Sequence, residues 1–281
     1  CSDLMPSTTA PHRSGYGFYA AASIVVANMI GTGVFTSLGF QLVDIQSTFP
    51  LLMLWIVGGV AAFCGAITYA ELGAAIPRSG GEYTFLSRIY HPGAGFVSGW
   101  ISATIGFAAP TALAAITFGA YLSAVFPALP ETGLAVSLVV VLSLVHSTTH
   151  RNSSALQSGF TSLKVLLIVA FCGAALLLTP DPQPVALLPV TGDSGALLSG
   201  AFAISLIYVS YAYTGWNAAT YLTSELDDPA RQLPWILGGG TVVVLCLYVG
   251  LNYAFLRAAP MAAMQGEVEV GYIAATYIFG P

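Results

Sequence analysis

The stretch from Ser23 to Phe40 reads SIVVANMIGTGVFTSLGF, and it lies in a run from Tyr16 to Val43 that contains no charged residue. Gly31, Thr32 and Gly33 stand near its midpoint, although two glycines lower helix propensity by roughly 1 kcal/mol each relative to alanine. The pattern predicts a membrane-spanning helix that is interrupted near the middle of the bilayer. An interruption at that depth is tolerated only where it is buried in protein or lines a cavity.

Two interpretations of this interruption remain open from the stretch alone. In the first, free N–H groups and the positive end of the following half-helix bind a carboxylate. In the second, the small residues allow close packing between helices, as in many glycine-rich spans.

The composition indicates an integral membrane protein. Of 281 residues, 56% are hydrophobic and 7% are charged, against about 25% charged in a typical soluble domain. The cysteines and histidines show no metal-ligand spacing, so we expect no metal and no cofactor. Seven apolar segments are long enough to span the bilayer and an eighth begins, at about 16–43, 50–76, 96–127, 133–148, 155–179, 196–224, 234–257 and 270 onward.

The basic residues predict the orientation. Only Arg257 falls in a loop on the second side, so the first side is predicted to be cytoplasmic, with the N-terminus inside and the protein in the cell membrane. The first side carries Arg13, Arg78, Arg88, Arg151 and Arg231.

The chain is predicted to divide into four parts. Residues 1–15 form a cytoplasmic segment, 16–179 a first repeat of five spans, 180–195 an extracellular loop and 196–281 part of a second repeat. Because the sequence stops inside an apolar run, we expect a fragment that is cut at its C-terminal end.

Lys164 lies about ten residues into the fifth span. An ammonium at that depth costs roughly 2.5–3.5 kcal/mol even on the mild insertion scale. Snorkelling to the interface is one explanation, but the distance of about 15 Å is long for one side chain. We favour an inward-facing lysine that is paired or in contact with water and can carry a proton.

A second polar stretch lies inside the sixth span, which reads IYVSYAYTGWNA from Ile207 to Ala218. A polar seam between helices would explain it. However, the first and sixth spans take corresponding places in two halves of five spans, and an odd number of spans inverts the second half. Paired interruptions of this kind point to the binding site of a secondary transporter.

Four motifs resemble those of the amino acid–polyamine–organocation transporters, in the branch of the L-type and bacterial amino acid exchangers. They cover nearly the whole chain, in the family's order. The motifs are GTGVF from Gly31, ELG from Glu71 with PRSGGEY from Pro77, YAYTGWN from Tyr211, and ELDDPARQLP from Glu225.

The resemblance implies an all-α fold of the leucine-transporter type, with inverted repeats and an amino acid bound between spans one and six. N–H groups of Gly31, Thr32 and Gly33 would hold the carboxylate. Carbonyl groups of Met29, Tyr211 and Thr214 would receive the ammonium group.

The resemblance also assigns the remaining residues of the pocket. Tyr211 would close over the substrate from outside, where the family usually has Phe or Trp. Gly215 would leave room for the substrate side chain, near Tyr213 and Trp216, and Phe107 is expected to line the same pocket.

Lys164 matches a lysine that occupies the place of a sodium ion in relatives. The resemblance therefore implies secondary active transport by proton-coupled symport or amino acid exchange, with a sodium-coupled symporter as the alternative. A channel or an intramembrane enzyme is disfavoured, since the spans lack the charge rings or catalytic pairs that these need. The expected partners are the amino acid, the lipid bilayer and protons, without nucleic acid, and no partner subunit can be named.

Three glutamates lie at or beyond the predicted cytoplasmic helix ends, Glu71, Glu82 and Glu225. Each is expected to be a solvated carboxylate at the interface. Roles in an inner gate or in holding the loop after the second span are the alternative.

Overall fold

The computed structural model describes residues 17–147 and 150–280, and within these ranges all regular elements are helical. The predicted all-α membrane class is confirmed. The α-helices are α1 Phe18–Met29, α2 Gly33–Asp44, α3 Thr48–Ala75, α4 Gly81–Ile89, α5 Pro92–Ile101, α6 Ala108–Val125, α7 Glu131–His146, α8 His150–Leu177, α9 Asp193–Leu197, α10 Gly200–Ala212, α11 Pro229–Leu233, α12 Gly239–Ala258, α13 Met261–Met264 and α14 Val270–Phe279.

Some of these helices join into longer stretches through π-helical turns, and α1 and α2 join across residues 30–32. Within the described residues, five stretches are long and apolar enough to cross a membrane, and α7, α10 and α14 are shorter apolar helices. The five are Phe18–Asp44, Thr48–Ala75, Pro92–Val125, Gly159–Leu177 and Pro229–Ala258.

The first span is interrupted as predicted. Helix α1 ends at Met29, residues 30–32 are not helical, and α2 begins at Gly33. The sixth span is interrupted as well. Helix α10 ends at Ala212, residues 213–217 form turns, and a 3₁₀-helix follows over Ala218–Glu225.

The prediction that Pro234 starts the seventh span is wrong. The helix begins at Pro229, where the Asp228 side chain accepts the N–H of Arg231 at 3.3 Å and caps the end. Pro234 lies one turn further in, at the start of a π-helical turn over Pro234–Gly238. The wider π turn accommodates a residue that has no N–H to donate.

A second π-helical turn, over Ser102–Gly106, divides the third span between α5 and α6. Pro110 lacks the N–H that would otherwise bond to the carbonyl of Gly106 four residues earlier. The turn therefore lies where the regular hydrogen-bond ladder cannot be continued.

The predicted extracellular loop, 180–195, is pinned to the start of α3. Asp193 is 2% exposed, and its carboxylate accepts the Ser47 hydroxyl at 2.6 Å and the Val190 N–H at 2.7 Å. The Thr48 hydroxyl accepts the N–H of Ala186 at 2.9 Å. Two hydroxyl residues at one helix end thus hold the loop over the bundle.

The core surrounds the two interruptions. Its largest fully buried side chains come from spans one, two, six and seven, and they lie next to the helix ends rather than in a separate layer. They include Met29, Trp55, Tyr213, Tyr248 and Phe255.

Candidate substrate site at two interrupted helices

The two interruptions lie against each other. A Cβ atom built on Gly33 would lie 2.9 Å from the Cα of Ala212, and one built on Gly215 would lie 2.8 Å from the backbone of Asn28. Gly215 also has φ +101°, which side chains other than glycine rarely adopt. Two glycines therefore allow α1 and α2 to approach α10 and the turn that follows it at backbone distance.

The hydroxyl of Tyr248 joins the two helix ends. Its oxygen lies 2.5 Å from the Met29 carbonyl oxygen and 3.0 Å from the Ala212 carbonyl oxygen, and it donates to both. The two carbonyl oxygens therefore lie within two hydrogen-bond lengths of each other. Carbonyls at a helix C-terminus have no intrahelical donor. Tyr248 on α12 supplies a donor for both ends from a fully buried position.

The sequence did not identify Tyr248 as part of the site. It stands in an apolar segment that carries neither of the interruptions from which the site is predicted. The available signal was a tyrosine in the middle of a predicted span, too deep to belong to the interfacial aromatic belts.

Several main-chain groups of the predicted site bond to each other in this structure. The N–H of Gly31 donates to the Met29 carbonyl at 2.8 Å. The Tyr211 carbonyl accepts the N–H of Thr214 at 3.0 Å and its hydroxyl at 2.7 Å. The N–H of Phe35 donates to the Thr32 carbonyl at 2.9 Å, whereas the first two N–H groups of α2, those of Gly33 and Val34, have no acceptor within the helix.

Part of the site is open to the surroundings. Gly31 and Thr214 are exposed, Thr32 is half-buried, and the Tyr211 side chain is 37% exposed. A small molecule therefore has access to the face where α2 begins and α10 ends.

The aromatic residues predicted near the pocket have different neighbours. Tyr213 is 1% exposed, and its hydroxyl donates to the Trp55 carbonyl at 2.9 Å. The Trp216 ring packs edge-on against Tyr69 on α3, at 4.9 Å between ring centroids. The space above Gly215, which the resemblance implies is left for a substrate side chain, contains the Asn28 backbone.

Lys164 lies at the first interruption. Its ammonium group donates to the Ile30 carbonyl at 3.0 Å, so the side chain turns inward and has an acceptor rather than reaching for the interface. It also lines a cavity of about 470 Å³ together with Phe35, Tyr121 and Phe171. The Tyr121 hydroxyl donates to the Phe35 carbonyl at 3.1 Å.

Glu82 connects helix α4 to the part of the sixth span that follows its interruption. Its carboxylate accepts hydrogen bonds from the Asn217 amide and, at 2.6 Å, from the Tyr221 hydroxyl. Ser79 and Ser224 make a further contact at 2.5 Å between their hydroxyl oxygens. Of the two roles considered for Glu82, the structure therefore favours holding the loop, and its carboxylate is not simply solvated.

The two other glutamates and Phe107 have different surroundings from Glu82. Glu71 and Glu225 are exposed. The ring of Phe107 lies 6.2 Å from the ring of Tyr221, which places it beside the α4 contact rather than at the start of α2.

With this geometry established, the sequence was compared with known proteins. The profile of a family described as "Amino acid permease" matches residues 16–278. The chain belongs to this amino acid permease family. The match confirms the resemblance that the motifs indicate.

Curated relatives of this permease chain include three transporters at similar distances. The chain is 32% identical over 272 residues to "Large neutral amino acids transporter small subunit 2" of Mus musculus, covering 92% of this chain and 51% of the relative. Identity is 31% to the Homo sapiens "b(0,+)-type amino acid transporter 1" over 259 residues (89% and 52%), and 31% to the Homo sapiens "Asc-type amino acid transporter 1" over 273 residues (91% and 52%). The chain thus spans about half the length of the curated relatives it matches.

Replacing Tyr248 by phenylalanine tests the bridge between the two helix ends. The change removes the donor shared by Met29 and Ala212 and keeps the ring, so we expect a cost of about 1–3 kcal/mol. The melting temperature of the purified protein should fall. Tyr253→Phe, on the same helix, is the matched control and should melt like the wild type. Equal melting of all three proteins would contradict a stabilising bridge.

Replacing Glu82 by alanine tests the α4 contact. Because Asn217 and Tyr221 lose their acceptor, we expect the amides of Gly81–Ile89 to exchange with deuterium about tenfold faster or more. Hydrogen-exchange mass spectrometry measures this directly. Glu71→Ala removes an exposed carboxylate and should leave the exchange of α4 unchanged; protection that survives in Glu82→Ala would show that other contacts hold the helix.

Proposed function

We propose that the protein moves amino acids across the cell membrane by alternating access, as a secondary active transporter. The observation that carries this proposal is the contact between two interrupted helices inside one bundle. An amino acid has one fixed anion and one fixed cation, and the interruptions present main-chain donors and acceptors side by side.

In this mechanism the substrate carboxylate binds N–H groups of Gly31, Thr32 and Gly33 at the positive end of α2. The ammonium group binds carbonyl groups of Met29, Tyr211 and Thr214, next to the negative ends of α1 and α10. Both charged groups are thereby bound without any ionised side chain.

The hydrogen bond from Gly31 to Met29 gives this binding a definite exchange of partners. An arriving ammonium group competes for the Met29 carbonyl, and the N–H of Gly31 that it displaces becomes available to the carboxylate. The zwitterion thus replaces one internal hydrogen bond with two charge-assisted ones, which are roughly twice as strong each. Tyr248 stays bound to Met29 and keeps the helix end in place.

The remaining site residues would shape the space around the substrate side chain. Tyr211, which is partly exposed above the turn, closes over the substrate from outside. Tyr213 and Trp216 fix the turn by packing on α3, and Gly215 lets that turn approach α1. Phe107, whose ring lies beside Tyr221, would support the α4 contact rather than line the pocket.

The proposed arrangement in the membrane follows the sequence. The N-terminus is cytoplasmic, 16–179 forms the first repeat of five spans, and 196–281 belongs to an inverted second repeat. Rocking of one repeat against the other then exposes the site to each side in turn.

Lys164 would take the place of a sodium ion at the first interruption. Its ammonium group already binds the Ile30 carbonyl, a position where a cation stabilises the end of α1. We therefore propose proton-coupled symport or amino acid exchange rather than coupling to sodium.

Competition uptake tests the proposed activity. Proteoliposomes that contain the product of the full-length gene should accumulate one or more radiolabelled amino acids saturably, and unlabelled substrate should compete. Esterified and N-acetylated forms of the same amino acid should compete at least about tenfold less well, since each lacks one of the two charges. Absence of saturable uptake for all twenty amino acids would contradict the proposal.

Replacing Lys164 by methionine tests the coupling. The change keeps the unbranched apolar stem of the side chain and removes the ammonium group, so uptake should fall and lose its dependence on external pH. Uptake is compared at an acidic and a neutral pH, with and without sodium. Leu163→Met, at the neighbouring lipid-facing position, should behave like the wild type. A full pH response in Lys164→Met, or a sodium requirement in the wild type, would overturn this assignment.

A further inference from the structure

Two adjoining hollows lie outside the substrate site, between α1, α8 and the start of the seventh span. The larger, of about 820 Å³, is apolar and runs along α1 from Phe18 to Val26, with Val165 and Gly239 on the facing helices. At 1.5 Å per residue, that part of α1 is about 12 Å long. The shape therefore suits a long hydrocarbon chain.

The smaller hollow, of about 370 Å³, shares Phe18 and Trp235 with the larger one. Polar groups make up a larger share of its lining than of the lining of the larger hollow. Trp235 is 72% exposed and Tyr19, at the mouth of the larger hollow, is 84% exposed. Tryptophan and tyrosine are enriched at the level of lipid headgroups. The two hollows thus meet where a membrane changes from hydrocarbon to headgroup.

The smaller hollow contains one side chain of each charge, Asp228 and Arg231, both exposed. One carboxylate oxygen of Asp228 caps α11 by accepting the Arg231 N–H at 3.3 Å, and the carboxylate keeps further acceptor capacity. Gln232 lines the same hollow. A cation and an anion therefore lie together.

We propose that these hollows form a binding site for a zwitterionic phospholipid whose headgroup carries a primary ammonium group. One acyl chain fills the larger hollow, the phosphate pairs with the Arg231 guanidinium, and the ammonium group donates to the Asp228 carboxylate. A choline headgroup has no N–H to donate. An anionic glycerol headgroup would leave Asp228 facing the phosphate without a compensating cation.

The test measures lipid affinity of the purified full chain by native mass spectrometry. The probes are phosphatidylethanolamine, phosphatidylcholine and phosphatidylglycerol with identical acyl chains. The wild type should bind phosphatidylethanolamine about tenfold more tightly than either of the others, the size expected for one charge-assisted hydrogen bond. Equal affinity for the three lipids, or a preference for phosphatidylglycerol, would overturn the proposal.

Variants separate the headgroup contacts. Asp228→Asn keeps a good helix cap and should abolish the preference for phosphatidylethanolamine over phosphatidylcholine. Arg231→Gln should weaken both by about tenfold. A preference that is unchanged in Asp228→Asn would rule out the assigned ammonium contact.

A filled cavity tests the acyl-chain contact. A Cβ atom on Gly239 meets no atom within 4 Å, and neither does one on Gly250 of the same helix. Gly239 lines the larger hollow, so Gly239→Leu should weaken all three lipids by about tenfold or more. Gly250→Leu, the matched control, should bind like the wild type. Wild-type binding by Gly239→Leu would place the lipid elsewhere.

Discussion

The structure depends on main-chain polar groups being satisfied where two helices stop inside a membrane. Each unsatisfied backbone group at that depth costs several kcal/mol. The hydroxyl of Tyr248 serves the ends of α1 and α10, and the ammonium group of Lys164 serves Ile30. Side chains of neighbouring spans thus supply donors to both interruptions.

Both ends of the bundle are held by side-chain hydrogen bonds, and the predicted extracellular end adds a close contact between backbones. On that side Asp193 accepts the Ser47 hydroxyl, the N–H of Gly266 donates to the Gly39 carbonyl at 2.8 Å, and a Cβ atom on Gly39 would overlap Glu267. On the predicted cytoplasmic side, Glu82 and Ser79 act through side-chain hydrogen bonds to the sixth span. Side-chain contacts can be released by rotation about a few bonds, whereas packed backbone separates only when whole segments move.

Much of the fold could be predicted because the bilayer imposes it. The lengths of the apolar segments predict the spans, and Gly31 and Gly33 in the first span predict the interruption at 30–32. Pro234 is not the helix start because Asp228 and Pro229 carry an earlier start signal, a capping side chain followed by proline at the first helical position.

The sequence predicts where the main chain is interrupted, and the substrate contacts proposed at the interruptions stay a prediction. The motifs point to the interrupted segments, but the orientation of Tyr213, the neighbour of Gly215 and the bridge made by Tyr248 arise from contacts between residues far apart in the chain. Lys164 was the exception, since an isolated charge deep in an apolar span has few alternatives to an inward position with an acceptor.

The 3₁₀-helix over Ala218–Glu225 is longer than the same residues would be as an α-helix. A 3₁₀-helix rises about 2.0 Å per residue and an α-helix 1.5 Å, so winding these eight residues into the α form would shorten the segment by about 4 Å. Its upper end continues into the turn at Gly215, and its lower end is fastened to Ser79 through Ser224. A change from the 3₁₀ to the α form would therefore move the cytoplasmic loop toward the membrane centre. The helices around this segment would not have to change.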